Sequence, residues 1–497
     1  MERVKNALRQ ANIAGVQDFV DLDHAVLIID EVHNLFRPLA AQKEKHAFVE
    51  KHIVDATRHP DLKVVILTAT PGDNVRDVIK LMNIVRDPTK PAFVAPDPDS
   101  PQDIERFKES VRGIVSYFEM SGDRTKFPVV RDHGPVKYPM SATQFARYMD
   151  AYKETKDAAK NYDKLAAGNE LHKFWASARK YSNMLYNLEK GMSLTEFSSK
   201  LPPLLEKIGE HPTDKHYVYS AFYERRGSSQ GILAIAAELE KMGYEKLTVA
   251  AAKAANRAEA AGGAGLKPRK RYMLAIQSEI GEEGSTSAGR ALGEMINIYN
   301  SAANKSGDLV HVFLASQKYN EGLDLKAVKH IHIFEPLVTM ASDIQTIGRA
   351  RRNCSHADLE MDEWTVDIHR YLTDLPIDVR TTPGQGKTQE RLAKIKAEVG
   401  VLEERIKETD EKTAKKILKE TVAQYKKEIK GIEADAKKLA KADTSKINSI
   451  DMAVYAEAQN RMRELFVIYH CLKEAAIDCQ LLHAFHGDAT IRCLGAE

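Results

Sequence analysis

Short apolar runs that alternate with amphipathic stretches constrain this chain more than any other feature. HAVLIID (24–30) and KVVILTA (63–69) are buried-strand runs, and the segments 42–58 and 74–84 read as helices. A second block of the same kind begins at KHYVYSAF (215–222). It continues through a helix, a short strand near 246–250, RYMLAI (271–276), a helix near 287–303, VHVFLAS (310–316) and HIHIFE (330–335). Strands separated by helices of this length imply βαβ units and parallel sheets. Within the second block, AAAKAANRAEAAGGAGLKPRK (250–270) is low in complexity and reads as a flexible surface loop.

Different material separates and follows the two blocks. PTKPAFVAPDPDSP (88–101) is a proline-rich connector, and 137–212 reads mainly as helix with no strand pattern. From 388 to 441 the chain is charged, with apolar residues at heptad spacing in two phases: Leu392, Ile395, Val399, Leu402 and Ile406, then Leu418, Val422, Tyr425, Ile429, Ile432, Ala436 and Leu439. The phases do not join across TDEKT (409–413), which predicts an antiparallel hairpin. A long solvated helix packed on its own protein fits the same pattern. A further apolar-periodic helix covers 449–484. The expected division is a partial α/β domain (1–90), a connector and helical insertion (91–212), a second α/β domain (213–380), a charged hairpin (381–445) and a helical tail (446–497).

Composition excludes little. No apolar run approaches the roughly 20 residues needed to cross a bilayer, and ERVKNALRQ after Met1 lacks the apolar core of a secretory signal. Cys354, Cys471, Cys479 and Cys493 form no CxxC pair and suit free thiols in a reducing compartment. With 73 basic against 71 acidic residues, overall charge says nothing about nucleic acid.

The chemistry-bearing residues fall at the ends of the strand runs. In IIDEVH (28–33) two carboxylates and a histidine end a buried strand, where an open α/β sheet faces its ligand crevice. Asp30 suits Mg²⁺ held through water, Glu31 suits orienting and deprotonating an attacking water, and His33 would relay the nucleotide's state. The bland alternative is an acidic strand end that caps the next helix. TATP (68–71) places Thr68 and Thr70 beside that acidic tip, as coupling groups or as local turn residues. NEGLDL (320–325) follows one strand of the second block and QTIGRARR (345–352) follows another. Arg349 and Arg352, three apart on a helix, would share a face and could stabilise charge on a γ-phosphate. Gly348 permits close approach, Gln345 can bond a nucleotide or its water, and Gly322 and Asp324 suit nucleotide and strand sensing. A solvated basic helix face is the competing reading of the arginines.

In this order the pieces resemble the motifs of superfamily 2 DExH helicases: IIDEVH motif II, TATP motif III, HYVYSAF motif IV, NEGLDL motif V and QTIGRARR motif VI. RGIVSYFEM (112–120), KFP (126–128), YPMSATQFARY (138–148), SARKYSNMLY (177–186), GRARRNCSHADL (348–359), SID (449–451) and LKEAAIDC (472–479) are similar to helicase-like ATPases of large cytoplasmic DNA viruses. That family includes the poxvirus early transcription factor small subunit and nucleoside triphosphatase I. The resemblance implies two RecA-like domains, use of ATP and Mg²⁺, and binding of nucleic acid, DNA above all. It further implies a viral RNA polymerase or transcription-factor partner, no membrane, and a place in the virion or the host cytoplasm.

One departure stands out. The family's Gly-x-x-x-x-Gly-Lys-Ser/Thr loop precedes motif II, and no such loop precedes Asp30 here. The first domain is therefore expected to be truncated, and the alternative function is a non-catalytic DNA- or polymerase-binding subunit. TTPGQGKT (381–388) mimics the loop, with Lys387 and Thr388 in register, but reads as a turn into the hairpin. KPRKR (267–271) is a candidate nucleic-acid contact or a solvated loop, Cys354 and His356 alone make a weak metal pair, and His330 and His332 read as structural.

Overall fold

The computed structural model describes residues 24–32, 61–87, 89–118, 123–158, 176–189, 191–222, 231–280, 286–317, 323–376, 387–408, 415–416, 418–426, 429–430, 449–483 and 490–495. The chain forms two compact units, one of residues 1–120 with 460–497 and the other of residues 121–459. In chain order the first elements are β1 (Val26–Asp30), β2 (Lys63–Leu67), α1 (Val75–Ile84), α2 (Pro101–Val111), β3 (Val129–Pro139), α3 (Ala142–Ala158) and α4 (Ala176–Asn183). Next come α5 (Leu194–Phe197), α6 (Leu201–Glu210), β4 (Lys215–Ser220), α7 (Ile232–Lys241), β5 (Glu245–Lys246), α8 (Val249–Ala260), β6 (Arg271–Ala275) and α9 (Gln277–Ile280). Then follow α10 (Thr286–Asn300), β7 (Val312–Ser316), β8 (Val328–Ile333), α11 (Met340–Gly348) and β9 (Thr365–Asp374). The last are α12 (Lys387–Glu408), α13 (Ile450–Ala475) and α14 (Cys479–Leu482).

In the first unit β1 and β2 pair in parallel, with Asp30 opposite Leu67. Ile29, Val64 and Ile66 pack with Val32 against Leu81 and Ile84 of α1. The opposite face of this pair carries Val26 and Ile28, each 63% exposed, so β1 is half-buried on one face and exposed on the other, not buried on both as its run suggests. Burial of both faces needs cover on each side, and among the described residues β2 alone pairs with β1. The same unit holds a correction to the cysteine reading. Cys479 and Cys493 form a disulfide with Cα atoms 5.6 Å apart, while Cys354 and Cys471 are free. The spacing of the pair along the chain does not advertise it; a tertiary turn closes the Cα distance into the bridging range.

The second unit is built on one seven-stranded parallel sheet in the order β3-β9-β8-β4-β7-β6-β5. Every residue of β4, β6 and β7 is buried, as the continuous apolar runs require. Alternation sends Tyr217, Met273, Phe313, Ile331 and Ile368 to one face. Val218, Leu274, Leu314 and Tyr371 go to the other, where α6 and α7 cover them. The α/β class read from the sequence is borne out by this sheet.

Two readings are corrected here. Residues 249–260, expected as part of a flexible loop, form α8, capped by Thr248 and with Ala252 and Ala255 buried. Asn256 Nδ2 donates to the Glu294 carbonyl at 2.9 Å and to its carboxylate at 2.6 Å, fixing α8 beside α10. Alanine is the strongest helix former, so low complexity here meant helix. Residues 129–139, within the segment expected to be connector and helix, instead form the edge strand β3, with a register shift between Asp132 and Pro135. The hairpin expectation meets helix at 387–408 and 418–426, joined by a 2.6 Å ion pair from Lys426 to Glu403.

His330 and His332 sit in a row of imidazoles across β4, β8 and β9. His216 Nδ1 and His332 Nε2 are 2.9 Å apart, and His332 Nδ1 meets the Tyr371 hydroxyl at 2.9 Å. Burial holds both His216 and His332 well below the usual imidazole range, so they are neutral core groups. His356 is structural too: it has no exposed surface, and its ring nitrogens meet the Ser355 hydroxyl at 2.9 Å and the Val328 carbonyl at 3.1 Å.

Candidate functional site

Motif residues gather at the carboxyl ends of the parallel strands in each unit. In the first, parallel register sets the loop after β1 beside the loop after β2. Asp30 ends β1, and its carboxylate accepts from the Glu31 amide at 2.9 Å. Glu31 takes φ +51, a left-handed turn that non-glycine residues rarely adopt without cause. Asp30 is exposed and Glu31 is exposed, so both carboxylates face outward from the strand tip. His33 lies outside the described residues.

The partner loop is tightly made. Thr68 Oγ1 accepts from the Thr70 amide at 3.1 Å. Thr70 is 2% exposed, and its own hydroxyl is buried with no hydrogen-bond partner among the described residues. Sequence reasoning missed Gly72. A Cβ there would stand 2.8 Å from Asp77 Cβ and 3.0 Å from Val78 N, so only glycine lets the loop enter α1 this closely. Asn74 then caps the helix, accepting from the Asp77 amide at 3.0 Å, and Tyr469 donates to the Gly72 carbonyl at 3.3 Å.

In the second unit the segment after β7 and the segment after β8 meet. Gly322 lies outside the described residues. Asp324 is held by Asn300, whose Nδ2 donates to the Asp324 carbonyl at 2.7 Å and whose Oδ1 accepts from the Lys326 amide at 2.9 Å. The Arg349 guanidinium donates to the Leu323 carbonyl at 3.4 Å, and the Leu325 amide donates back to the Arg349 carbonyl at 3.0 Å.

The two arginines do not share a helix face, which corrects the spacing argument. α11 ends at Gly348, Arg349 is its C-cap, and Arg352 lies beyond it in irregular backbone. Arg349 is 8% exposed, whereas the Arg352 side chain is 45% exposed and 3.9 Å from Asp324. Gln345 and Gly348 are half-buried, and a Cβ at Gly348 would meet open space.

Behind these loops lies a buried polar network that sequence reasoning did not assemble. Glu335, at the end of β8, accepts from Asn183 Nδ2 at 3.0 Å, from Ser220 Oγ at 2.9 Å and from the Ala221 amide. Burial pushes its carboxyl above the usual range. Lys200 Nζ donates to Asn183 Oδ1 at 2.5 Å and pairs with Asp451 at 2.8 Å, both ionic side chains fully buried. Asp451 also accepts from the Thr373 amide at 2.9 Å. The stretches SARKYSNMLY, HYVYSAF and SID therefore meet in one place, and their polar residues are the signal that pointed to it.

No protein-family model matches the chain. It is 28% identical over 406 aligned residues to an inferred ATP-dependent RNA helicase of Acanthamoeba polyphaga mimivirus, covering 72% of this chain and 62% of the relative. It is 24% identical over 353 residues to an uncharacterised killer-plasmid helicase of Kluyveromyces lactis, covering 70% and 47%. A termination factor NPH-I homologue of African swine fever virus is 24% identical over 407 residues, covering 71% and 56%. The chain thus spans about half the length of the curated relatives it matches. Superposition on the helicase domain of Pyrococcus furiosus Hef gives a TM-score of 0.33 at 14% identity over 75% of each chain; the fold rests on strand order instead. Among the described residues no helix is long and apolar enough to cross a membrane. In sequence, the chain is similar to the superfamily 2 helicase-like ATPases of large DNA viruses.

Proposed function

We propose that the chain works in a nucleic-acid-dependent ATPase of the DExH helicase type, acting on DNA alongside a viral transcription apparatus. The observation that supports this most directly is similarity over about 70% of the chain to proteins named as helicases and as a termination factor. The paired strand-end loops Asp30–Glu31 and Thr68–Thr70 agree with it.

Asp30 suits Mg²⁺: an exposed carboxylate at a strand tip fits an ion that keeps most of its waters. When bound with ATP, Mg²⁺ neutralises charge on the phosphate oxygens. Glu31 orients the attacking water and takes its proton, and His33 relays the nucleotide's state to the neighbouring loop. Arg352 reaches the γ-phosphate. Arg349 holds the motif V backbone at Leu323 and so serves as a positioning group for Asp324 and Gly322. Gln345 bonds the nucleotide, and Gly348 leaves room for its approach. Thr68 and Thr70 pass the state of the acidic tip to bound nucleic acid.

The test is ATP hydrolysis by the full chain with and without single-stranded DNA, beside Glu31→Gln. DNA-stimulated turnover that falls by about 100-fold or more in Glu31→Gln supports the reading. A folded chain that binds DNA but gives no turnover would sink it in favour of a binding subunit.

A further inference from the structure

The amino-terminal edge of the seven-stranded sheet lies opposite the edge that bears the motif loops, and it carries a side-chain cluster that the proposed activity does not use. His211 caps α6, Asp214 precedes β4 by one residue, and His330 is the third residue of the adjacent strand β8. Parallel pairing of β4 with β8 converges them. Asp214 Oδ2 is 3.2 Å from His330 Nε2 and 3.7 Å from His211 Nδ1. The His211 and His330 ring centres are 4.2 Å apart, and one ligand atom from each of the three residues lies within 4.8 Å of the others.

This geometry is close to what a zinc-class ion demands. Bonds of about 2.0–2.2 Å in a tetrahedron place nitrogen and oxygen ligands roughly 3.3 Å apart; the His330–Asp214 pair already has that spacing, and the widest pair, within 4.8 Å, closes by at most about 1.5 Å through the solvent-facing His211. The donors are two imidazoles and one carboxylate oxygen, a set that suits a borderline transition-metal ion better than Mg²⁺ or Ca²⁺.

The supporting contacts hold the ligands in place. The His330 side chain is 5% exposed, and its Nδ1 lies 3.2 Å from His369 Nε2, which gives the second ring nitrogen a partner. Lys329 sits 3.2 Å from Asp214 Oδ1 and leaves Oδ2 to the imidazoles; its ammonium is shared with Glu363 at 2.6 Å. The His211 carbonyl accepts from His216 Nε2 at 3.1 Å and His311 Nε2 at 3.0 Å, which anchors the turn. The His211 side chain, 38% exposed, opens the cluster to solvent.

We propose that His211, Asp214 and His330 form a three-ligand site for a divalent transition-metal ion of the zinc class, which ties the turn between α6 and β4 to β8. The ion takes the place of the proton between His330 Nε2 and Asp214 Oδ2, and that proton moves to His330 Nδ1, which donates it towards His369 Nε2, so the imidazole binds the ion as a neutral ligand. Water fills the open position on the His211 side.

The test uses the full chain, stripped with a chelator and titrated with Zn²⁺ by calorimetry, with Co²⁺ as the optical probe. The expected result is one equivalent bound and visible ligand-field bands from Co²⁺. His211→Ala, at the solvent-facing turn, should lower Zn²⁺ affinity by at least about 10- to 100-fold without changing the metal-free melting temperature. Asp214→Asn should behave alike, and His24→Ala, an exposed histidine of the other unit, should bind as wild type. Absence of the Co²⁺ bands in wild type overturns the proposal. So does equal Zn²⁺ affinity in wild type and His211→Ala, or an equal loss in His24→Ala, which would mark scattered surface histidines. If Asp214→Asn does not fold, the wild-type Co²⁺ spectrum and His211→Ala decide the question.

Discussion

Thr68 and Thr70 look interchangeable in the sequence, yet their surroundings differ sharply. Thr68 uses its hydroxyl to accept from the Thr70 amide, while the Thr70 hydroxyl is buried without a partner among the described residues. An unsatisfied buried hydroxyl costs about 1–3 kcal/mol, so Thr70→Val, which keeps the shape and deletes the hydroxyl, should leave melting temperature unchanged or raise it. If Thr70 couples the acidic tip to nucleic acid, the same variant should lose stimulation of ATPase by DNA while keeping basal turnover. A drop in melting temperature would instead mark the hydroxyl as structural. Burial likewise separates Arg349 from Arg352, a distinction that the order QTIGRARR cannot express. His356 gives a pH prediction. Burial lowers its pKa from 6.5 to about 4, so between those values the unfolded chain binds the proton that the folded chain refuses. Stability therefore falls as pH drops from about 6.5 towards 4 and levels off below, by on the order of 3 kcal/mol for this group. Melting curves across that range, with the imidazole followed by NMR, check both the sign and the residue.

Among elements, α11 shows how a motif helix is fixed from behind. Arg370 on β9 forks onto Asp343 of α11 at 2.6 and 2.8 Å and onto Asp132 of β3 at 3.0 and 3.2 Å. Hydrogen bonding and charge from both aspartates outweigh burial and raise its pKa further. Arg370→Lys keeps the charge but cannot make both forks, and it should destabilise the second unit by about 1–3 kcal/mol in thermal unfolding. If Gln345 on α11 bonds the nucleotide, it should also raise the KM for ATP; an unchanged KM would detach the helix from nucleotide binding. β3 was hard to read for a physical reason. It contains Gly134 and Pro135, which argue against a central strand but suit a bulged edge. α8 is hidden for the opposite reason: its low complexity resembles a loop, whereas the helix propensity of its alanines makes it a helix.

Across the molecule, residues 460–497 return to the unit that begins the chain. There Asp478 accepts from the Tyr117 amide at 3.0 Å, and Lys108 pairs with Glu474 at 2.6 Å. The second unit has its own sheet, two apolar layers and the buried Lys200–Asp451 pair. Residues 121–459 expressed alone should therefore unfold in a single cooperative calorimetric transition, and a broad or absent transition would show that the unit depends on the rest of the chain.

The α/β class, the succession of strand tips along the chain and the residue types they carry are legible in the residues themselves, because apolar periodicity and strand-end chemistry are local and one-dimensional. Folding is needed to show which threonine is buried, which arginine is exposed, that Cys479 meets Cys493, and that His211, Asp214 and His330 converge. Those outcomes depend on parallel register and on burial, and both are set by residues far away along the chain.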